Sequence, residues 1–271
     1  MLRAVVVLCA ALVLATGCSL AEAQDKPDLT TLSLTELMAL DVIAINVLGT
    51  HLHPAGQWMI GYEAMFENMD GNRDRTRRLS RSRVLDAYNT APTDMTMQTH
   101  MVTVMYAPTN TLTLMGMLPY IRKSMNHVMR DGTRFKERTE GLGDVEAHAL
   151  YTLFSTKGLQ HRLLLNGGVS FPTGSIDKKD FGPDRSMGEN RLEYPMQLGS
   201  GTYGLMPGLT YLGQTDELAW GTEFIPTVRL GRNQHDYRLG NRYRWSGWGA
   251  LKLTEWLSLS GRVDAQRWDN I

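Results

Sequence analysis

The chain has 271 residues, room for one large domain or two small ones, and its 28 basic and 28 acidic residues cancel. Nothing in that balance suggests a nucleic-acid partner or a basic membrane-surface patch. Methionine is the outlier, with 16 in all, concentrated between Met59 and Met129.

The chain opens as a targeting segment. Arg3 precedes the apolar run AVVVLCAALVLA, which is too short to span a bilayer as a helix. Two processing sites fit. Ala21-Glu22-Ala23 ahead of Gln24 is an ordinary signal-peptidase site, and Ala15-Thr16-Gly17-Cys18 is a lipobox that would lipidate Cys18. The first is preferred, because a membrane barrel needs no lipid anchor, so residues 1–23 are read as a signal peptide. Cys9 and Cys18 are the only cysteines, so the exported chain is expected to carry no disulfide and no thiolate metal site. No other stretch has 18 apolar residues in a row, so no transmembrane helix is predicted.

Residues 24–56 read as a periplasmic N-terminal segment. Ser33 and Glu36 have capping-box spacing, which predicts a short helix over 33–41. His51 and His53 then lead into the next element, at the periplasmic entrance.

From Gln57 onward the polarity alternates with a period of two, the signature of strands. Strands are predicted at 57–69, 94–106, 111–122, 143–154, 161–172, 197–212, 218–230, 242–253 and 256–268. They exceed the usual globular strand length and suit tilted membrane strands. Short turns (107–110, 155–160, 213–217, 254–255) alternate with long polar connections (70–93, 123–142, 173–196, 231–241). That asymmetry is typical of outer-membrane barrels. The expected fold is all-β, an antiparallel transmembrane β-barrel over 57–271. Nine strands leave the last one ending outside, and RWDNI is not a terminal aromatic strand. An open wall would leave backbone groups unpaired in hydrocarbon. The barrel is therefore read as C-terminally truncated, with about twelve strands in the full protein.

The strands also sort by face. On 57–69, Trp58, Ile60, Tyr62, Ala64 and Phe66 oppose Met59, Gly61, Glu63, Met65, Glu67 and Met69. Carboxylates are costly against lipid, so the methionine face is read as the lumen. The same logic sets Met95, Met97, Met101 and Met105 inward on the next strand, leaving Val102, Val104 and Tyr106 to lipid with Gln98 and His100 near the rim. Met115 and Met117 then face in, as do Asp144, Glu146 and His148, followed by Arg162, Asn166 and Ser170. Further along, Glu223, Thr227, Arg229, Arg244, Lys252, Arg262, Asp264 and Gln266 face in.

Two chemistries fit such a lumen. Thioethers suit soft ions such as Cu(I) or Ag(I), with carboxylates and imidazole extending the set. The metal candidates are Met97, Met101 and His148. Methionine is also flexible apolar filler and a good contact for apolar ligands. Asp70-Gly71-Asn72-Arg73-Asp74 begins like a calcium loop, but Arg75 and Arg81 stand where glycine and glutamate belong. His100, His127, His161 and His235 lack paired ligand spacing. His148 near Ser170 lacks a third orienting group, so the chain is not read as an enzyme. No cofactor is expected.

Four segments together resemble a known family: Gly141-Leu142-Gly143-Asp144, Val169-Ser170-Phe171-Pro172-Thr173-Gly174, Leu198-Gly199-Ser200-Gly201-Thr202-Tyr203 and Trp268-Asp269-Asn270. Their order resembles the outer-membrane transporters grouped under the phenol meta-pathway degradation name, over most of residues 57 to 271. The resemblance implies an outer-membrane barrel passing small apolar or aromatic compounds. It supplies no functional residues. Residues 28–38 are separately similar to the stretch before the plug of TonB-dependent receptors, but no plug follows. The expected function is passage of a small apolar or aromatic solute. The alternatives are a copper or silver passage and a structural barrel without transport. The expected partners are outer-membrane lipid, the solute and the barrel-assembly machinery.

Overall fold

The computed structural model describes residues 3–5, 52–74, 77–156, 160–184, 186, 188–215, 217–253 and 258–270. The helix expected over 33–41, the cleavage sites and His51 lie outside them.

In chain order the elements are β1 (Arg3–Val5), β2 (Trp58–Asp70), β3 (Asn72–Asp74), β4 (Arg77–Leu79), helix α1 (Arg81–Ala87), β5 (Thr90–Thr109), β6 (Leu112–Met129), β7 (Arg134–Leu142), β8 (Val145–Ser155) and β9 (His161–Phe171). There follow β10 (Lys179–Phe181), β11 (Glu189–Arg191), a 3-10 turn (Tyr194–Met196), β12 (Gly204–Gln214), β13 (Leu218–Arg229), β14 (Arg242–Lys252) and β15 (Ser258–Trp268). No helix of the described residues is long and apolar enough to cross a membrane, which says nothing of crossing by strands.

The long strands form one antiparallel meander in the order β2-β5-β6-β8-β9-β12-β13-β14-β15. The short β1 adds to the outer edge of β15, with Arg3 opposite Gln266. β7 and β8 behave as one kinked strand against β6. Tyr120 pairs with Leu142 and Met117 with Glu146, a slip of one residue. Between them the Gly143 N–H still donates to the Pro119 carbonyl at 2.9 Å. The slip is a bulge, and it puts Asp144 at the bend.

Two predicted boundaries are corrected. The connection predicted at 123–142 is a tall hairpin: β6 continues to Met129 and returns through β7. Its outer side chains are Arg122, Lys136, Arg138 and Glu140, so apolar alternation stops while pairing continues. The strand predicted to begin at residue 197 begins at Gly204. Gln197, Leu198, Ser200 and Thr202 are all buried, because this segment lies against the sheet instead of within it; the Gln197 amide and Ser200 hydroxyl are hydrogen-bonded, while the Thr202 hydroxyl has no partner.

The sheet curls. β8 and β14 are four steps apart, about 19 Å in a flat sheet, yet Glu146 on β8 is within electrostatic reach of Arg242 and Arg244 on β14. Leu52 spans the same hollow: it packs on Leu164, Leu212, Trp248 and Ala250, while the next residue, His53, donates its N–H to Thr113 Oγ1 on β6 at 3.4 Å. Desolvation there lowers the pKa of the His53 imidazole.

The convex face is apolar. Trp58, Ile60, Tyr62 and Phe66 on β2 are 66–76% exposed, and Leu165, Leu205, Leu209, Phe224, Trp245, Leu259 and Val263 continue the surface. From Trp58 to Phe66 is about 27 Å along a strand, or about 21 Å at a tilt near 40°. The outward His100 is not left bare, since its Nδ1 is 2.6 Å from the Tyr62 hydroxyl.

Gly199 shows how closely the inlaid segment lies on the sheet. A Cβ there would meet the Gly174 carbonyl oxygen at 2.2 Å and Asp144 Oδ1 at 2.6 Å. Gly199→Ala is expected to lower stability by about 2 kcal/mol, read as a lower unfolding temperature of the refolded chain. Gly116→Ala, where a Cβ would meet nothing within 4 Å, is the control expected to leave it unchanged.

Candidate functional site

The candidate site is the concave face. Met59, Glu63, Met65, Glu67, Met95, Met97, Met101, Met105, Met115, Met117, Asp144, Glu146 and His148 all project from it. Glu63 is nonetheless exposed, because β2 is an edge of the sheet. On β5 the odd positions are the covered ones: Met105 is 2% exposed, while Val102 and Val104 on the other face are 40% and 38% exposed.

Register decides which of these residues meet. Met59 pairs with Met105, Met105 with Met115, and Met115 with His148. This row continues through Gly168 to Met206. Gly168 makes room for the imidazole, since a Cβ there would sit 2.5 Å from His148 Nδ1. The metal candidates Met97 and Met101 are not in this row. Met97 pairs with Glu67 and Lys123, and Met101 with Glu63 and Pro119. Met101 and Met105 are four positions apart, about 13 Å along the strand, so the structure does not bring Met97, Met101 and His148 together. The described residues hold no group of three or more His, Cys, Asp or Glu side chains placed for a metal ion. Met95 packs with Met125, Leu192 and Met196, which makes it packing under the inlaid segment.

His148 Nε2 lies 3.4 Å from Glu146 Oε2. Ser170 pairs with Glu146 rather than His148, and its buried hydroxyl has no hydrogen-bond partner. The serine–histidine contact that a hydrolase needs is not formed. His127, His161 and His235 are each engaged, by Glu137 at 3.1 Å, the Tyr211 hydroxyl at 2.8 Å and Asp177 at 2.6 Å. None of these contacts was readable from spacing, because each crosses strands or loops.

The feature missed in the sequence is the inlay. The described residues of 172–203 leave β9, form the β10–β11 pair, and return across the concave face. Asp144 is the centre of this fold-back. Its Oδ1 accepts from the Gly174 N–H at 3.0 Å. Its Oδ2 accepts from the Ser200 N–H at 2.8 Å and the Ser200 hydroxyl at 2.6 Å. Arg229 comes within 3.9 Å of the same oxygen and donates to Ser200 Oγ at 2.9 Å. The Thr173 hydroxyl donates to the Gly143 carbonyl at 3.0 Å and accepts from the Val145 N–H at 2.8 Å.

Two more anchors complete the knot. Lys123 Nζ donates to the Pro195 and Gln197 carbonyls at 2.9 and 2.6 Å. The Gln197 amide donates to the Leu192 carbonyl at 2.7 Å and accepts from the Lys178 N–H at 2.9 Å. Outside it, Asp177 links this connection to the next through His235 and the Gln234 amide.

The remaining concave wall is a ladder of charges. Glu223, 3% exposed, pairs with Arg244 at 3.2 Å, and Arg262 pairs with Asp264 at 2.9 Å. Thr152, Arg162, Asn166 and Ser170 leave buried polar atoms unpaired by protein, which marks a hydratable track along β8 and β9. The hollow is thus narrowed by Leu52 at the short-turn end and by the knot at the other.

No family model matches the chain, and no curated protein sequence matches it.

Removing Asp144 leaves two backbone donors and Arg229 without their acceptor. Asp144→Ala is expected to cost about 3 kcal/mol. Limited proteolysis should cut between residues 175 and 196 faster than in the wild type, while Asp264→Ala, outside the knot, should leave that segment protected.

Proposed function

We propose that this chain is the wall of an outer-membrane β-barrel that admits a small apolar or aromatic solute. The observation that carries the reading is the division of every long strand into two faces. A convex surface of exposed Trp, Tyr, Phe, Leu and Ile far exceeds the few hundred Å² of apolar patch usual on a soluble monomer. The concave face collects the charges, as a barrel in lipid requires. Trp58 stacked on Tyr106 at 4.3 Å, with Tyr151 and Trp220, lies toward the short-turn end. Tyr120, Tyr203 and Tyr243 lie toward the other, in keeping with interfacial aromatic girdles.

The solute reading draws on the lining. Thioethers on β2, β5 and β6 offer polarizable contact to apolar and aromatic groups, and the knot constricts the hollow from one end. The resemblance to the phenol meta-pathway transporters points the same way. Its segments at 141–144, 169–174 and 198–203 are the ones that meet at Asp144.

A second reading has one observation in its favour. The in-register row Met59, Met105, Met115 and His148 places thioethers beside an imidazole, a donor set for Cu(I) or Ag(I).

Flux separates the readings. Liposomes carrying the refolded chain are expected to admit phenol-sized solutes faster than protein-free liposomes, and deletion of residues 177–196 is expected to raise that flux several-fold. Equal swelling with and without protein contradicts passage. Tight Ag(I) binding lost in Met105→Leu/Met115→Leu, without solute flux, would favour the second reading.

A further inference from the structure

The concave wall holds five arginines from β9 to β15, and they are not equally compensated. Arg244, Arg262 and Arg229 have Glu223, Asp264 and Asp144 respectively. Arg162 reaches Gln214 Oε1 at 3.5 Å without an ion pair among the described residues, and neither does Arg242 form one. Its Nη2 donates to Thr227 Oγ1 over 3.4 Å, its guanidinium sits 5.6 Å from the centre of the Trp268 ring, and its buried Nε has no partner. The charges within its electrostatic reach are Arg244 and Arg229, of its own sign, and Glu146.

This is a locally cationic patch of the concave wall with an unpaired guanidinium N–H in it. Holding one guanidinium near two others is unfavourable unless an anion or water compensates them. The donors of a guanidinium match the two oxygens of a carboxylate. Glu146 could serve as that carboxylate, but it is drawn toward His148 on its own strand and is shared with Arg244. Glu146 also fixes where the two walls meet, since Met117 is its cross-strand partner. The thioether wall therefore begins beside Glu146, which is within electrostatic reach of Arg242, and thioether sulfur favours contact with aromatic rings. Trp268 offers a second ring beside the guanidinium.

We propose that Arg242 is the recognition point for the carboxylate of a small aromatic acid, whose ring lies toward Met117 and Trp268. The proposal deepens the solute reading and rests on it for its biological use. The site itself is tested by binding, so the two can fail separately.

The refolded chain in detergent micelles is titrated with benzoate and with its neutral isostere benzamide, by calorimetry. Wild type is expected to bind benzoate at least tenfold more tightly than benzamide. Arg242→Gln should erase that preference, and Arg242→Lys should keep part of it. Heat-dependent gel migration reports whether each variant has folded; if Arg242→Gln has not, the wild-type and Arg242→Lys ratios decide. Equal binding of benzoate and benzamide by wild type overturns the proposal, as does a preference that survives in folded Arg242→Gln. A charge preference without solute flux leaves the site standing and removes transport alone.

Discussion

The carboxylate of Asp144 is the constraint on which the concave face depends. A bulge between β7 and β8 turns this side chain toward the hollow, and three segments far apart in sequence bring donors to it. Gly174 comes from the end of β9, Ser200 from the approach to β12, and Arg229 from the end of β13. A carboxylate so buried is tolerable only when its oxygens are satisfied. Satisfying them fixes the path of residues 172–203 across the interior. Lys123 and Gln197 then have carbonyls to meet, and Met95, Met125 and Met196 have a surface to cover.

That inlay gives the interior two unlike walls. One, on β2, β5 and β6, is built of thioethers broken by Glu63, Glu67 and Lys123. The other, from β8 to β15, is a charge ladder in which most arginines are matched by acids. A solute with an apolar body and one anionic group would find a complementary surface on each wall. A soft cation would find only the row that ends at His148. The thioether wall alone does not distinguish these ligands; Arg242, which forms no ion pair among the described residues, does.

Much of the wall was legible from the sequence. Met95, Met97, Met101 and Met105 share a face because a strand repeats every two residues, and the carboxylates on the paired strand mark that face as the polar one. The same argument placed Arg162, Asn166 and Ser170 correctly. It failed where pairing and burial part company. β6 and β7 remain paired beyond the apolar belt, where polarity no longer alternates by burial. At 197–203 a segment that alternates like a strand lies on the sheet instead, held by side-chain hydrogen bonds. Cross-strand register was also beyond reach: Met97 and Met101 do not meet His148, whose neighbour is Met115, with Met105 the next residue of that row. Three of the segments, at 141–144, 169–174 and 198–203, meet at Asp144, and their motifs did not say that they touch.

The central claim is that the odd positions of β5 face a hydrated interior and the even positions face lipid. Single cysteines at positions 97, 101, 102 and 104, in a chain with Cys9 and Cys18 replaced by serine and refolded into liposomes, test it with a membrane-impermeant thiol reagent. The account predicts labelling of Met97→Cys and Met101→Cys, and protection of Val102→Cys and Val104→Cys until detergent is added. Labelling of the two valine positions with protection of the methionine positions would contradict it.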